Sequence, residues 1–311
     1  MSKKITTATK QRRRLIMGDT NVIFRDDLQF IHEIIGPQLR ESKQAKICTS
    51  GTVILNIDYC IINGSHHHDN EVFLAIPGFG SGWTGMAKFG YELAALEHEV
   101  CMVSMPGYGN SDDPPLNYNI DKIRRDDVDI LANFIKQVLP NKKVHLIGHS
   151  MSAEIITMLA SRYPDLVTSI SLLTPAGFER RGLLEVGIRF VLNGILHSIA
   201  FRGNRIWAEL KKFLPKERNP FALSRLRQRI NEWVKLCHGD ESLEAFRNIH
   251  GRIPIVCVWG TKDFVFPRKK SSLSKSMTYP TFSPPLWHNV TMEGSELTAH
   301  IVNFFIRFFI K

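Results

Sequence analysis

Five short apolar runs, at 72–76, 100–104, 144–147, 167–173 and 253–259, stand out from longer segments of helical periodicity, and this alternation limits the fold more than any other feature. A strand buried on both faces reads as a near-continuous apolar run. The order strand, helix, strand, helix, strand, helix, strand from 72 to 173 predicts an α/β fold, with a mostly parallel central sheet flanked by helices. A further strand, rich in Ile, Val and Tyr, is expected at 52–62. The sheet resumes at 253–259, a weak strand follows at 276–282, and an apolar helix at 297–310 closes the chain. That helix carries Phe304, Phe305, Phe308 and Phe309, expected as a face packed on the sheet.

Between 174 and 250 the rhythm breaks. Helical stretches at 183–201, 206–213, 223–236 and 243–249 occur without a convincing buried strand, which reads as an inserted helical cap over the carboxyl edge of the sheet. The expected organisation is an N-terminal extension at 1–45 with a helix at 26–39, a core formed by 46–175 and 251–311, and a cap at 176–250. From Arg180 to Lys235 the cap holds 13 Lys or Arg against 4 Glu, most of the chain's formal net charge of +10. Such an excess favours anionic partners, and peripheral contact with an anionic membrane through the basic cap is one reading. The other has its apolar face covering the sheet and its charges in water. No helix-turn-helix or stacked aromatic-basic motif is present, so no nucleic-acid partner is expected.

Residues 144–153 read Val-His-Leu-Ile-Gly-His-Ser-Met-Ser-Ala, a strand that runs through Gly148-His149-Ser150-Met151-Ser152 straight into a helix. A serine on so sharp a turn is a nucleophile elbow: the turn lifts the hydroxyl clear of the sheet and aims backbone N–H groups beside it. Small residues are required two before and two after it, because strand and helix crowd there; Gly148 and Ser152 meet that need.

A serine hydroxyl attacks only when a base takes its proton and an acid holds the base in one tautomer. In a parallel sheet such groups converge at the carboxyl ends of strands. Asp263 follows the run at 253–259, and His288 precedes the final helix. Glu179 is an alternative acid and His300 an alternative base. Asp263 could also serve as a helix N-cap.

In these residues the chain resembles an α/β-hydrolase of the serine-nucleophile, esterase- and lipase-like kind, from about Thr52 to its end. The matching stretches are Pro77-Gly78-Phe79-Gly80-Ser81, Met105-Pro106-Gly107-Tyr108-Gly109-Asn110-Ser111, Gly148-His149-Ser150-Met151-Ser152, Gly260-Thr261-Lys262-Asp263, and His288 with Glu293. The resemblance implies Ser150 as nucleophile, His288 as general base and acid, and Asp263 as its orienting carboxylate. It also implies the backbone N–H groups of Phe79 and Met151 as the oxyanion hole, with Gly78, His149 and Trp287 near the substrate. Three positions depart from the family pattern: Pro77 where a histidine is often found, Ser152 in place of glycine, and Trp287 before His288.

The reaction so implied is hydrolysis of a carboxylic ester with an apolar acyl group, through an acyl-enzyme and without a cofactor. Thioester, iminopeptidase-like and carbon–carbon bond hydrolysis, and acyl transfer to an alcohol, use the same triad. A non-catalytic binder on this fold is the alternative of another class. Phe190, Val191, Leu192, Ile195, Leu196 and Ile199 are the cap's apolar surface for the acyl group.

Three further features bear on compartment and metals. Cys48, Cys60, Cys101, Cys237 and Cys257 are odd in number and scattered, the usage of a reducing compartment. The first eighteen residues are basic and acid-free, lack an apolar signal core, and read as a frayed terminus, with a transit peptide as the alternative. A cytoplasmic protein is therefore expected. His66, His67 and His68 lie in one tight loop where neighbouring side chains diverge, so a solvated loop is expected there, not a metal site.

Overall fold

The computed structural model describes residues 27–48, 53–63, 70–114, 123–200, 204–237, 240–268, 271, 273 and 279–310. The basic terminus, His66–His68 and residues 276–278 of the expected last strand lie outside the described residues.

Eight strands form one sheet: β1 (Lys43–Cys48), β2 (Ile54–Ile62), β3 (Glu71–Ile76), β4 (Val100–Val103), β5 (Lys143–His149), β6 (Ser169–Leu173), β7 (Ile255–Val258) and β8 (Thr281–Phe282). Their order is β1-β2-β4-β3-β5-β6-β7-β8. The pairs β1/β2 and β2/β4 are antiparallel, and every later pair is parallel, with Leu74 beside Leu146, Ile147 beside Ser171 and Leu172 beside Cys257. From β3 the chain steps to one side to make β4 and then crosses to the other to make β5. The crevice at the carboxyl ends of β3 and β5 is thus the topological switch point, where open α/β sheets place their ligands.

Side-chain alternation sends Leu74, Leu146, Ile170 and Cys257 to one face of the sheet. There they meet helices α1 (Ile123–Val138) and α2 (Met151–Arg162) through Phe134, Ile155 and Leu159. Phe73, Ala75, Ile147 and Val256 go to the other face, covered by α3 (Ala87–Ala95) and α4 (Ser295–Phe309) through Phe89, Leu93, Val302 and Phe305. The closing helix departs from expectation. Of its four phenylalanines only Phe305 is buried, while Phe304, Phe308 and Phe309 are 44%, 70% and 57% exposed. Cys101 and Cys257 act as small hydrophobes inside β4 and β7.

Between β6 and β7 lie α5 (Leu183–Ala200), α6 (Arg205–Lys211), α7 (Leu226–Leu236) and α8 (Asp240–Ile249). The first three make up a helical insertion. The last, grouped with them in the sequence reading, buries Phe246 and Ile249 in the same cluster as Ile155 of α2, so it flanks the sheet. No helix among the described residues is long and apolar enough to cross a membrane.

One buried acid ties the loops together. Asp58 on β2 accepts the Asn110 N–H at 3.2 Å, its own N–H donates to Ser111 Oγ at 2.8 Å, and its carbonyl accepts the Ser104 N–H at 2.9 Å. Burial pushes its carboxyl up to about 6, and the N–H from Asn110 pulls the other way without cancelling it. Between about pH 4 and this raised value the folded chain keeps a proton that the unfolded chain has lost, so stability falls as pH rises through the window and stays lower above it. Asp58→Asn is expected to remove this decline, a gain on the order of 2 kcal/mol at neutral pH. Urea unfolding at the two ends of the window measures it; equal slopes for both proteins would contradict the assignment.

Candidate active site

Strand β5 ends at His149, and Ser150 follows with φ 53° and ψ −115° before α2 begins at Met151. A non-glycine residue rarely holds such a backbone, and it persists only where surrounding contacts over-determine it. Here the Ser150 N–H donates to Leu173 O at 2.9 Å, and Ser150 O accepts from Ala153 and Ala176, both at 3.1 Å. A Cβ on Gly148 would come within 2.6 Å of Ser152 O, which is why strand and helix tolerate only glycine there. Ser152 uses its side chain instead: its hydroxyl donates to Pro77 O and ties the elbow to the loop after β3. Two of the departures from the family pattern are thus one contact.

His288 Nε2 stands 2.9 Å from Ser150 Oγ, and its Nδ1 stands 2.9 Å from Asp263 Oδ2. A carboxylate can only accept, so the proton sits on Nδ1 and Nε2 is left to accept the Ser150 hydroxyl. All three residues are buried. The other carboxylate oxygen, Oδ1, accepts the N–H groups of Val265 at 2.9 Å and Phe266 at 3.0 Å. Asp263 thus divides its two oxygens, one toward His288 and one toward the turn that follows it, where no helix begins for it to cap. Burial alone would raise its pKa; the adjacent His288 and the two N–H donors outweigh that and hold it below the usual carboxylate range.

The backbone under this triad is tightly pressed. A Cβ on Gly260 would meet Leu286 O at 2.2 Å and Trp287 O at 2.5 Å, so the loop bearing Asp263 and the strand-end leading to His288 lie one against the other. The His288 carbonyl accepts from Thr174 Oγ1 at 2.8 Å and from His149 Nε2 at 3.0 Å. Thr174, at φ 42° just beyond β6, was missed in the sequence, where it reads as an ordinary loop residue. Glu179 pairs with Arg181 at 2.7 Å, and His300 lies within α4, so neither alternative joins the triad.

Ser150 and His288 open on a cavity of about 290 Å³, lined also by Gly78, Phe79, His149, Phe190, Asn193, Asn289 and Met292. A larger concavity, about 380 Å³, lies between α1, α2 and α8, but Arg125, Arg162, Glu241 and Glu244 wall it with charges of both signs and no activated nucleophile. Only the smaller one has Ser150 and His288 in its wall. Gly78 presses close to Ser150: a Cβ there would be 3.0 Å from the serine Cβ. Met151 is the first residue of α2, where backbone N–H groups have no helical acceptor. Trp287 is not among the lining residues; its ring packs edge-on against Phe264, and its N–H donates to Glu293 at 3.1 Å. Asn193 was not foreseen, although a lone amide in the apolar run 190–196 is a readable signal.

The insertion reaches the site from α5 and α7. Phe190, Phe221 and Trp233 all stand around Phe79, with ring centroids 5.8, 5.9 and 5.3 Å away. A buried ion pair fastens α7 to the loop after β4: Arg229 reaches Glu232 at 2.6 Å and lies 3.7 Å over the Tyr108 ring, while the Tyr108 hydroxyl donates to Glu232.

Residues 71–278 match the family described as alpha/beta hydrolase fold. The dihydrolipoyllysine-residue acetyltransferase component of the acetoin cleaving system from Pseudomonas putida is 25% identical over 75% of this chain and 62% of its own length. Monoacylglycerol lipase abhd6-B from Xenopus laevis is 29% identical over 39% of this chain and 35% of its own. The chain thus spans less than two thirds of either protein. Among solved structures, a thioesterase domain from the curacin biosynthetic pathway superposes with a TM-score of 0.61 at 15% identity, covering 84% of this chain and 99% of that one, a likeness of fold.

Proposed function

The chain belongs to the α/β-hydrolase fold family, and on that premise we propose that it hydrolyses carboxylic esters through an acyl-enzyme on Ser150. The observation that carries this reading is the unbroken relay Ser150–His288–Asp263, buried beneath a cavity with an apolar wall. Similarity to a monoacylglycerol lipase supports an ester of apolar acyl chains.

Ser150 Oγ attacks the ester carbonyl carbon while His288 Nε2 takes its proton; Asp263 stabilises the resulting imidazolium. The oxyanion accepts from the N–H groups of Phe79 and Met151, each donor worth about 10²–10³ in rate. Collapse breaks the bond to the alkoxy oxygen, which leaves as the alcohol with the proton from His288. Water, deprotonated by His288, then attacks the acyl carbon, and the acid departs as Ser150 regains its proton. At about 290 Å³ the cavity is at the lower end of the range for ligand sites, about 300–1,000 Å³, which suits the acyl part of a substrate, not a whole large lipid. In this reading α5, α6 and α7 form the cap, with Phe190 and Asn193 as its contacts to the acyl chain. Val191, Leu192, Ile195 and Leu196, grouped with Phe190 in the sequence reading, are exposed, and the side chain of Ile199 lies outside the described residues.

Labelling with an alkyl fluorophosphonate tests the nucleophile. One adduct is expected, located by peptide mass spectrometry on Ser150, present in Ser152→Ala and absent in Ser150→Ala. An adduct elsewhere, or an inert wild type with intact fold, would count against this reading and favour a ligand-binding protein.

A further inference from the structure

Helix α5 has two apolar faces, and only one is used by the site. Val186 and Asn193 are buried, and Phe190 and Asn193 line the cavity. On the opposite side Leu184, Ile188, Val191, Leu192 and Ile195 are between 48% and 78% exposed. Their spacing of four, seven, eight and eleven from the first places them in one stripe along three turns. A second row, Leu223, Leu226 and Ile230, is exposed on and just before α7. The two helices meet at Trp233, whose Nε1 donates to Leu183 O at 3.4 Å and whose ring stands edge-on to Phe190 at 5.6 Å. Scattered exposed leucines are ordinary; a stripe of five along three turns is an interaction surface.

The charge the insertion exposes says what kind of surface it meets. Arg205, Lys211, Lys216, Arg218 and Arg227 are exposed on the insertion, whereas Glu185 is its one exposed carboxylate among the described residues. A second copy of this chain docking face to face would bring two such clusters of like charge together. An anionic lipid surface is complementary in both respects, with phosphates for the cations and acyl chains for the stripe.

We propose that the insertion docks the protein on an anionic lipid–water interface, with the α5 stripe at the acyl boundary and the insertion's exposed cations on lipid phosphates. Phe190 and Asn193 lie on the reverse of the same helix, so the cavity they line is one helix thickness from that boundary. Docking itself does not depend on the ester-hydrolase reading; only the supply of substrate from the interface does.

The test is co-sedimentation of the full chain with vesicles of phosphatidylcholine alone or mixed with phosphatidylglycerol. Binding to the mixed vesicles is expected, weaker to the neutral ones and weakened by salt. A variant carrying Ile188→Ser, Val191→Ser and Ile195→Ser should bind at least about tenfold more weakly. Leu184→Ser with Leu192→Ser, an independent pair on the same stripe, should act in the same direction, with circular dichroism verifying the fold of each. Lys211→Glu and Lys216→Glu should each cost about fivefold or more. All variants should keep wild-type turnover of a water-soluble short-chain ester and wild-type fluorophosphonate labelling, so failure of the catalytic reading shows there and failure of docking shows with the vesicles. Absence of wild-type binding would overturn the proposal. So would binding that survives both stripe variants but is lost in Phe304→Ser with Phe308→Ser, which would move the contact to the C-terminal helix. A dimer that the stripe variants dissociate, with no vesicle binding, would identify a second copy as the occupant instead.

Discussion

Ester turnover in Ser150→Ala is expected to fall by roughly 10⁵–10⁶-fold, with KM close to that of the wild type. The size follows, on the proposed mechanism, from the loss of the oxygen that stands 2.9 Å from His288 Nε2, while the cavity walls stay in place. What activity remains would come from oxyanion donors and binding acting on water, about 10³–10⁴ above the uncatalysed reaction. Steady-state kinetics on a p-nitrophenyl ester read this directly. A drop of only tenfold would mean that another group carries the acyl chain.

Asp263→Asn is the more discriminating substitution, with a fall in kcat on the order of 10⁴-fold expected and a fold left intact. The amide oxygen is forced to the Oδ1 position, because Val265 and Phe266 both present N–H donors there. The amide NH₂ therefore faces His288 and donates to Nδ1, which drives the ring proton to Nε2, the nitrogen that must accept from Ser150. The histidine is held in place and in the wrong tautomer. Unfolding midpoints near wild type combined with the kinetic loss are the expected signature; a modest loss of rate would show that the carboxylate's charge and hydrogen-bond polarity matter little.

Most of what positions these residues was legible because buried parallel strands have no polar face to show. Five such strands mark themselves in the chain, and Ser150 and Asp263 follow two of them, whereas His288 comes after the two-residue β8, which barely marks itself at all. Strand β1 was not legible: as an antiparallel edge it buries only Ala45 and Ile47, and Lys43, Gln44 and Lys46 mask the alternation. The roles of Asp58 and Thr174 depend on loops converging from distant parts of the chain, which no local pattern encodes. Helix α5 exposes the limit most clearly. Periodicity finds apolar residues nearly all round it and gives Phe190 to Ile199 one shared role against the acyl group, whereas burial splits the described ones into an inner and an outer row.

That two-sidedness makes the register of α5 a single setting for two surfaces. Each residue along a helix turns the next by about 100°. One residue inserted near Leu183 would put Arg189 where Phe190 faces the cavity and Leu192 where Asn193 does, while Phe190 moved to the place of Val191 on the outside. Point substitutions can tune either surface alone. A change of length cannot, because it turns both faces at once.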